Sequence, residues 1–131
     1  MEQLQIDTGV REFRVNERGI LRFNPADPNV YGRFLKAAEE ISVLHRELEG
    51  QDADQTKTPA WVFDQLTQAD RKAKEILTGV FGPENDFDRL LEGVNLMAVA
   101  GNGQRVVTNL FAALEPVMAE GAMAFAKVFE E

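Results

Sequence analysis

A capping residue followed directly by proline occurs twice in the sequence, as Asp27-Pro28 and as Thr58-Pro59. Asp and Thr side chains accept hydrogen bonds from the first turn of a helix, and proline at the first helical position loses no helical hydrogen bond. Each pair precedes apolar residues spaced three and four apart, which is the spacing of one helix face. The two pairs therefore predict where two amphipathic helices begin.

Glycine and proline predict where the helices end. Gly50 is expected to end the first helix, and Gly82 with Pro83 the second. Asp86 is expected to cap a short third helix, and a long helix follows near the end of the chain. Pro116 lies inside that last helix and predicts a bend or break, because proline removes one helical hydrogen bond. The four helices are predicted at residues about 28–49, 59–81, 86–92 and 104–129.

An antiparallel β-hairpin is predicted before the first helix, at residues about 10–23. Alternation with period two places four apolar side chains on one face: Phe13, Val15, Leu21 and Phe23. Gly19 is expected to supply the positive φ that the turn needs. A lone hairpin is barely stable in water, so this face is expected to cover the helices. The prediction is a single α+β domain over residues 1–131, mostly helical, with the hairpin packed on a helical bundle.

Composition and charge exclude several classes of function. The net charge is −8, with −3 in residues 1–58 and −5 in residues 59–131. Because duplex binding needs a basic face, nucleic acid is not an expected partner. The chain has no cysteine, which excludes disulfides and fits a reducing cytoplasm. Its polar N-terminus and the lack of an apolar run of about 18 residues argue against a secretion signal and a membrane span.

No residues are predicted to form a catalytic, metal or cofactor site. His45 is the only histidine, and a lone histidine cannot build a usual catalytic pair or a multi-histidine metal site. The acidic residues near the third helix fail the calcium-loop pattern, because Leu90 and Leu91 occupy its fifth and sixth positions. The helix dipole accounts for acidic residues in a first turn.

The glycine-rich stretch after the third helix is also predicted to be structural. Gly101 and Gly103 match the first two glycines of a dinucleotide-binding fingerprint, but Val106 stands where the third glycine belongs. Residues 94–103 are compatible with a short helix, a strand or a loop, and a loop leading into the last helix is the favoured interpretation. No cofactor is therefore expected.

The segment after Pro116 is predicted to bind a partner or to self-associate. It keeps apolar residues close to the end of the sequence, where ordering is usually weakest. Methionine is frequent at adaptable binding surfaces, although it also fills gaps in cores. The alternative is that the last helix folds back and completes the core. The candidate partner-binding residues are Met118, Met123, Phe125, Val128 and Phe129.

Three stretches carry a resemblance to a known family. They are FRVNERGILRFNPADPNVYGRF at residues 13–34, ILTGVFGPENDFDRLLEG at residues 76–93 and NLFAALEPVM at residues 109–118. The first resembles the opening of small prophage proteins in which a hairpin leads through an FNPxD turn into a helix. The second and third, in this order and spacing, resemble the downstream half of the tail assembly chaperones of long-tailed bacteriophages.

The resemblance implies a non-enzymatic protein of the bacterial host cytoplasm. Such chaperones coat the aggregation-prone tape measure protein and help tail tube subunits to gather around it. The implied partners are thus the tape measure protein and the tail tube protein, with a possible homo-oligomer. Two alternatives remain open: a structural phage or prophage tail component that stays in the particle, and a small-ligand-binding domain with an unrecognised site.

Overall fold

The computed structural model describes residues 1–52 and 57–130, and the side chains of residues 1–50 and 57–128. About 60% of the chain is helical, and an antiparallel hairpin lies at its N-terminal end, which confirms the predicted α+β class. The described elements are β1 (Arg11–Val15), β2 (Gly19–Phe23), α1 (Pro28–Asp52), α2 (Pro59–Phe81), α3 (Phe87–Leu90) and α4 (Val106–Glu130).

The hairpin covers the helices with the predicted face, but its two strands are buried to different extents. Leu21 and Phe23 of β2 are 2% and 4% exposed, whereas Phe13 and Val15 of β1 are half-buried. The Phe23 ring lies 5.2 Å from the Phe13 ring and 4.7 Å from the Phe81 ring of α2. β2 is therefore the inner strand, and β1 is the outer one.

The turn of the hairpin differs from its prediction. Positive φ angles occur at Asn16 (51°) and Glu17 (62°) and not at Gly19, so the expected role of Gly19 in the turn is wrong. Asparagine tolerates this conformation better than most residues. Gly19 instead begins β2, where an added Cβ would overlap the Leu90 side chain. The glycine thus permits close packing of β2 on α3.

The predicted helix starts are confirmed by their hydrogen bonds. The Asp27 carboxylate accepts from the Asn29 N–H at 2.9 Å, and the Thr58 hydroxyl accepts from the Trp61 N–H at 3.2 Å. Asp86 caps α3 in the same way. These contacts join residues two or three apart, which is why the sequence alone could predict them.

The predicted helix ends are only partly correct. Gly82 closes α2 with φ 104°, as expected. α1 continues through Gly50 to Asp52, because glycine permits a left-handed cap without enforcing one. α3 is shorter than predicted: it ends at Leu90, and positive φ angles follow at Glu92 (56°) and Gly93 (76°).

α4 runs through Pro116 without interruption, so the predicted break is absent. The carbonyl that loses its helical partner belongs to Ala112, four residues earlier, and both residues are exposed to water. Met118 is 1% exposed. Gly121 is buried, and an added Cβ there would overlap the carbonyl oxygen of Pro25. α4 therefore stays packed against the body of the protein as far as Gly121.

The core lies between the hairpin and the three long helices. α1 packs along α2, and the Phe34 ring of α1 lies 5.5 Å from the Phe111 ring of α4. The segment between α3 and α4 contains turns, as the loop interpretation predicted, yet its Leu96 and Met97 are buried. The largest fully buried side chains are Phe87, Leu77, Leu90, Leu96, Met118, Val80 and Asn85.

Candidate functional site

An open groove of about 270 Å³ lies between the hairpin, α3 and α4, and we call it the hairpin groove. β1 contributes Phe13 and Val15 to its lining, and α4 contributes Leu110, Ala113 and Val117. β2 packs closely on α3 at Gly19 and Leu90, while β1 and α4 contribute side chains to the same groove. The half-buried apolar side chains of β1 and α4 thus face an accessible groove rather than a closed core.

Arg14, next to the groove residues Phe13 and Val15 in β1, is an exposed cation without a carboxylate partner among the described residues. The other three hairpin arginines each have a carboxylate: Arg11 pairs with Glu120 at 3.8 Å, Arg18 with Glu92 at 3.4 Å, and Arg22 with Glu12 at 3.3 Å. Because successive side chains of a strand point to opposite faces, the Arg14 side chain lies on the face of β1 opposite to Phe13 and Val15.

The lining of the hairpin groove is mostly apolar. Its polar lining residues are Arg14 and Asn16, and the remaining lining residues are apolar. Neither side chain is a usual nucleophile or general base near neutral pH. The volume lies at the lower end of the range of small-ligand pockets, about 300–1,000 Å³. Such a groove can hold a few apolar side chains of another chain.

The predicted partner-binding residues do not form one surface. Met118 lies in the core, so its assignment to a partner surface is wrong. Met123, Phe125 and Val128 are 65%, 38% and 69% exposed, while the side chain of Phe129 lies outside the described residues. At about 100° per residue, Phe125 continues the Met118 side of α4, whereas Met123 lies about 140° away from it.

The exposed apolar part of α4 on the Met118 side is therefore small. Phe125 and Val128 lie about 60° apart around the helix and together form what we call the terminal face. It begins where the core ends, just beyond Gly121. Both residues lie beyond Gly121, which is the last buried residue of α4 among the described side chains.

Three of the acidic residues near α3 have structural roles. Asp86 caps α3, Asp88 pairs with Lys74 at 2.7 Å, and Glu92 pairs with Arg18 at 3.4 Å. Residues 1–52 and 57–130 contain no group of three histidine or carboxylate side chains placed to share a metal ion.

His45 and the glycine-rich stretch are likewise structural. His45 lies 3.2 Å from Glu49 on α1, one helical turn away. Gly101 and Gly103 belong to a turn that precedes α4, held by an isolated bridge between Val99 and Arg105. Neither group faces the hairpin groove.

The sequence did not predict a partly buried polar network around Lys74. The Lys74 ammonium donates to Asp70 at 3.0 Å, to Asp88 at 2.7 Å and to the Val94 carbonyl at 3.1 Å. The second oxygen of Asp70 accepts from the Leu96 N–H at 2.8 Å. The network ties α2 to α3 and to the following loop. Its one sequence signal was the four-residue spacing of Asp70 and Lys74 beside an apolar stripe.

Replacing Lys74 with methionine is expected to lower the free energy of unfolding by about 2 kcal/mol, because the partly buried Asp70 loses its charged partner. Lys72→Met on the same helix is the matched control, since Lys72 is exposed and forms no ion pair among the described residues. Urea denaturation of both variants measures the difference. Equal transition midpoints would show that the network does not stabilise the fold.

Comparison of the chain with protein-family models, with curated proteins and with solved structures finds no match. Within the described residues, no helix has the length and apolar character needed to cross a membrane. The function is therefore inferred from the hairpin groove, the terminal face and the sequence motifs.

Proposed function

We propose that this protein is a non-enzymatic tail assembly chaperone that binds a segment of the tape measure protein and assists assembly of the tail tube. One observation carries the proposal. Every residue that lines the hairpin groove belongs either to the stretch that resembles small prophage proteins, at residues 13–34, or to the two that resemble the chaperone family, at residues 76–93 and 109–118. Stretches that are separated along the chain thus converge on one apolar groove.

The apolar lining of the hairpin groove supports the proposed activity because it would bury apolar side chains of a client segment. Apolar side chains of a client segment would leave water by entering between β1 and α4, at about 25 cal/mol per Å² of buried apolar surface. The net charge of −8 would keep the complex from associating with other acidic chains. The client is held without any chemical step.

A substitution inside the hairpin groove tests the proposal. Ala113 is an exposed residue of α4 that lines the groove, so Ala113→Glu places a carboxylate there at little cost to folding. When co-expressed with the tape measure protein of the same genome, the unaltered chain should keep that protein soluble and purify with it. Ala113→Glu should reduce the co-purified amount at least about tenfold, because an ionised carboxylate opposes apolar burial.

The control carries the same substitution on another side of the same helix. Ala119→Glu is also exposed and does not line the hairpin groove, so it should leave capture unchanged. Equal capture by both variants, with unchanged melting temperatures, would contradict a role for the groove. Failure of the unaltered chain to bind the tape measure protein would contradict the proposed function itself.

Truncation after Ala122 examines the terminal face separately. It removes Phe125 and Val128 but keeps Gly121, the last buried residue of α4 among the described side chains, and thermal melting checks that the shortened chain is folded. Loss of capture here, with Ala113→Glu still active, would move the client site to the terminal face. Purified tails that retain the chain would instead indicate a structural tail component, since a chaperone leaves the particle.

A further inference from the structure

The outer edge of β2 is closed by the side chain of Asn85. Its amide oxygen accepts from the Arg22 N–H at 2.9 Å, and its amide nitrogen donates to the Arg22 carbonyl at 2.8 Å. The same nitrogen donates to the Phe81 carbonyl at 2.6 Å, and Asn85 is 1% exposed. The asparagine thus takes the place of a third strand, and no further strand can pair with β2 at this point.

The outer edge of β1 has no such cover. Because both backbone groups of Arg22 point to Asn85, its opposite residue Glu12 makes no ladder hydrogen bond with it. The N–H and C=O of Glu12 therefore point outward, and those of Arg14, two residues further along, do the same. Within residues 1–52 and 57–130, no other backbone or side-chain group bonds to these outward groups. Such an edge is a template for another strand.

We propose that the outer edge of β1 pairs with β1 of a second copy of this chain, which creates a four-stranded antiparallel sheet. Symmetric pairing through the outward groups can be centred on Glu12, on Phe13 or on Arg14. The first choice sets Glu12 opposite Glu12, and the last sets Arg14 opposite Arg14, so like charges face each other. Centring on Phe13 sets Glu12 opposite Arg14 twice, with opposite charges in both pairs.

The register centred on Phe13 also provides partners for the outward backbone groups of β1 and for the charge of Arg14. Glu12 and Arg14 exchange both of their outward hydrogen bonds with the second copy. The two Phe13 residues become a non-hydrogen-bonded pair, the arrangement in which opposing side chains lie closest. Arg14 gains a carboxylate partner, which it lacks among the described residues of the single chain. Charge complementarity thus selects a second copy as the occupant of this edge.

Exchanging the charges tests the interface. Sedimentation equilibrium of the full chain should show a concentration-dependent dimer. Glu12→Arg sets arginine opposite arginine and Arg14→Glu sets glutamate opposite glutamate, so each variant alone should raise the dimer dissociation constant at least about tenfold. An equimolar mixture of the two variants should recover the dimer, because the arginine introduced into one chain then faces the glutamate introduced into the other.

Arg18→Glu in the exposed turn is the control for charge reversal, and its dimer should match that of the unaltered chain. Thermal melting checks that every variant is folded. A full chain that remains monomeric up to about 1 mM would overturn the proposal. So would variants that dimerise as tightly as the unaltered chain, or a mixture that stays monomeric. The readout requires no client, so it is independent of the proposed function.

Discussion

Replacing Phe23 with alanine is expected to lower the free energy of unfolding by about 3–5 kcal/mol. Phe23 is 4% exposed, and its ring contacts Phe13 across the hairpin and Phe81 of α2. Alanine would remove the buried apolar surface of the ring and leave a cavity between the hairpin and α2. The large effect is expected because Phe23 joins the only described strands to the helical bundle.

Urea denaturation monitored by circular dichroism measures this loss. Phe63→Ala is the matched control, because Phe63 lies on α2 and is 67% exposed, so its removal should change the transition midpoint little. A loss below about 1 kcal/mol for Phe23→Ala would mean that the inner face of the hairpin is not buried in solution.

Gly121→Ala is expected to destabilise the protein by about 2–3 kcal/mol, although alanine favours helices more than glycine does. The added Cβ would overlap the carbonyl oxygen of Pro25. Because this contact is made by backbone atoms, no side-chain rotation can relieve it. α4 would have to move away from the turn that precedes α1, which would also loosen the packing of Met118.

Gly32→Ala makes the same chemical change at another helical glycine and is expected to have the opposite effect on stability. Gly32 lies in α1 with no atom within 4 Å of its added Cβ, so the substitution should stabilise the protein by about 0.5–1 kcal/mol. Thermal unfolding of the two variants would give shifts of opposite sign. If Gly121→Ala also raised the melting temperature, α4 would not pack on Pro25 as described.

Local sequence determined the elements of this fold. The caps at Asp27, Thr58 and Asp86 each depend on a side chain and an N–H two or three residues away. The hairpin face depends on alternation, and the helix faces depend on spacings of three and four. These interactions are short in sequence, so a pattern of residues is enough to predict them.

Contacts between distant segments decided the structural roles of the glycines and of the proline within these elements. Gly19 and Gly121 are required by neighbours distant in sequence, Leu90 and Pro25, and not by their own backbone angles. Pro116 stays within α4 because its lost hydrogen bond faces water. α4 is therefore not broken at Pro116, and the burial of Met118 depends on the packing of α4 and not on the sequence around the proline.

The candidate site could be predicted from the sequence even less well than the fold. The methionines and the terminal apolar residues were predicted as one surface, but helix geometry separates Met123 from Phe125. The hairpin groove needs side chains from three stretches, and the free edge of β1 becomes evident only when Asn85 is seen to close β2. Sequence determined which side chains are apolar or charged; only packing between distant segments decided which of them remain open to a partner, because exposure is a property of the neighbours.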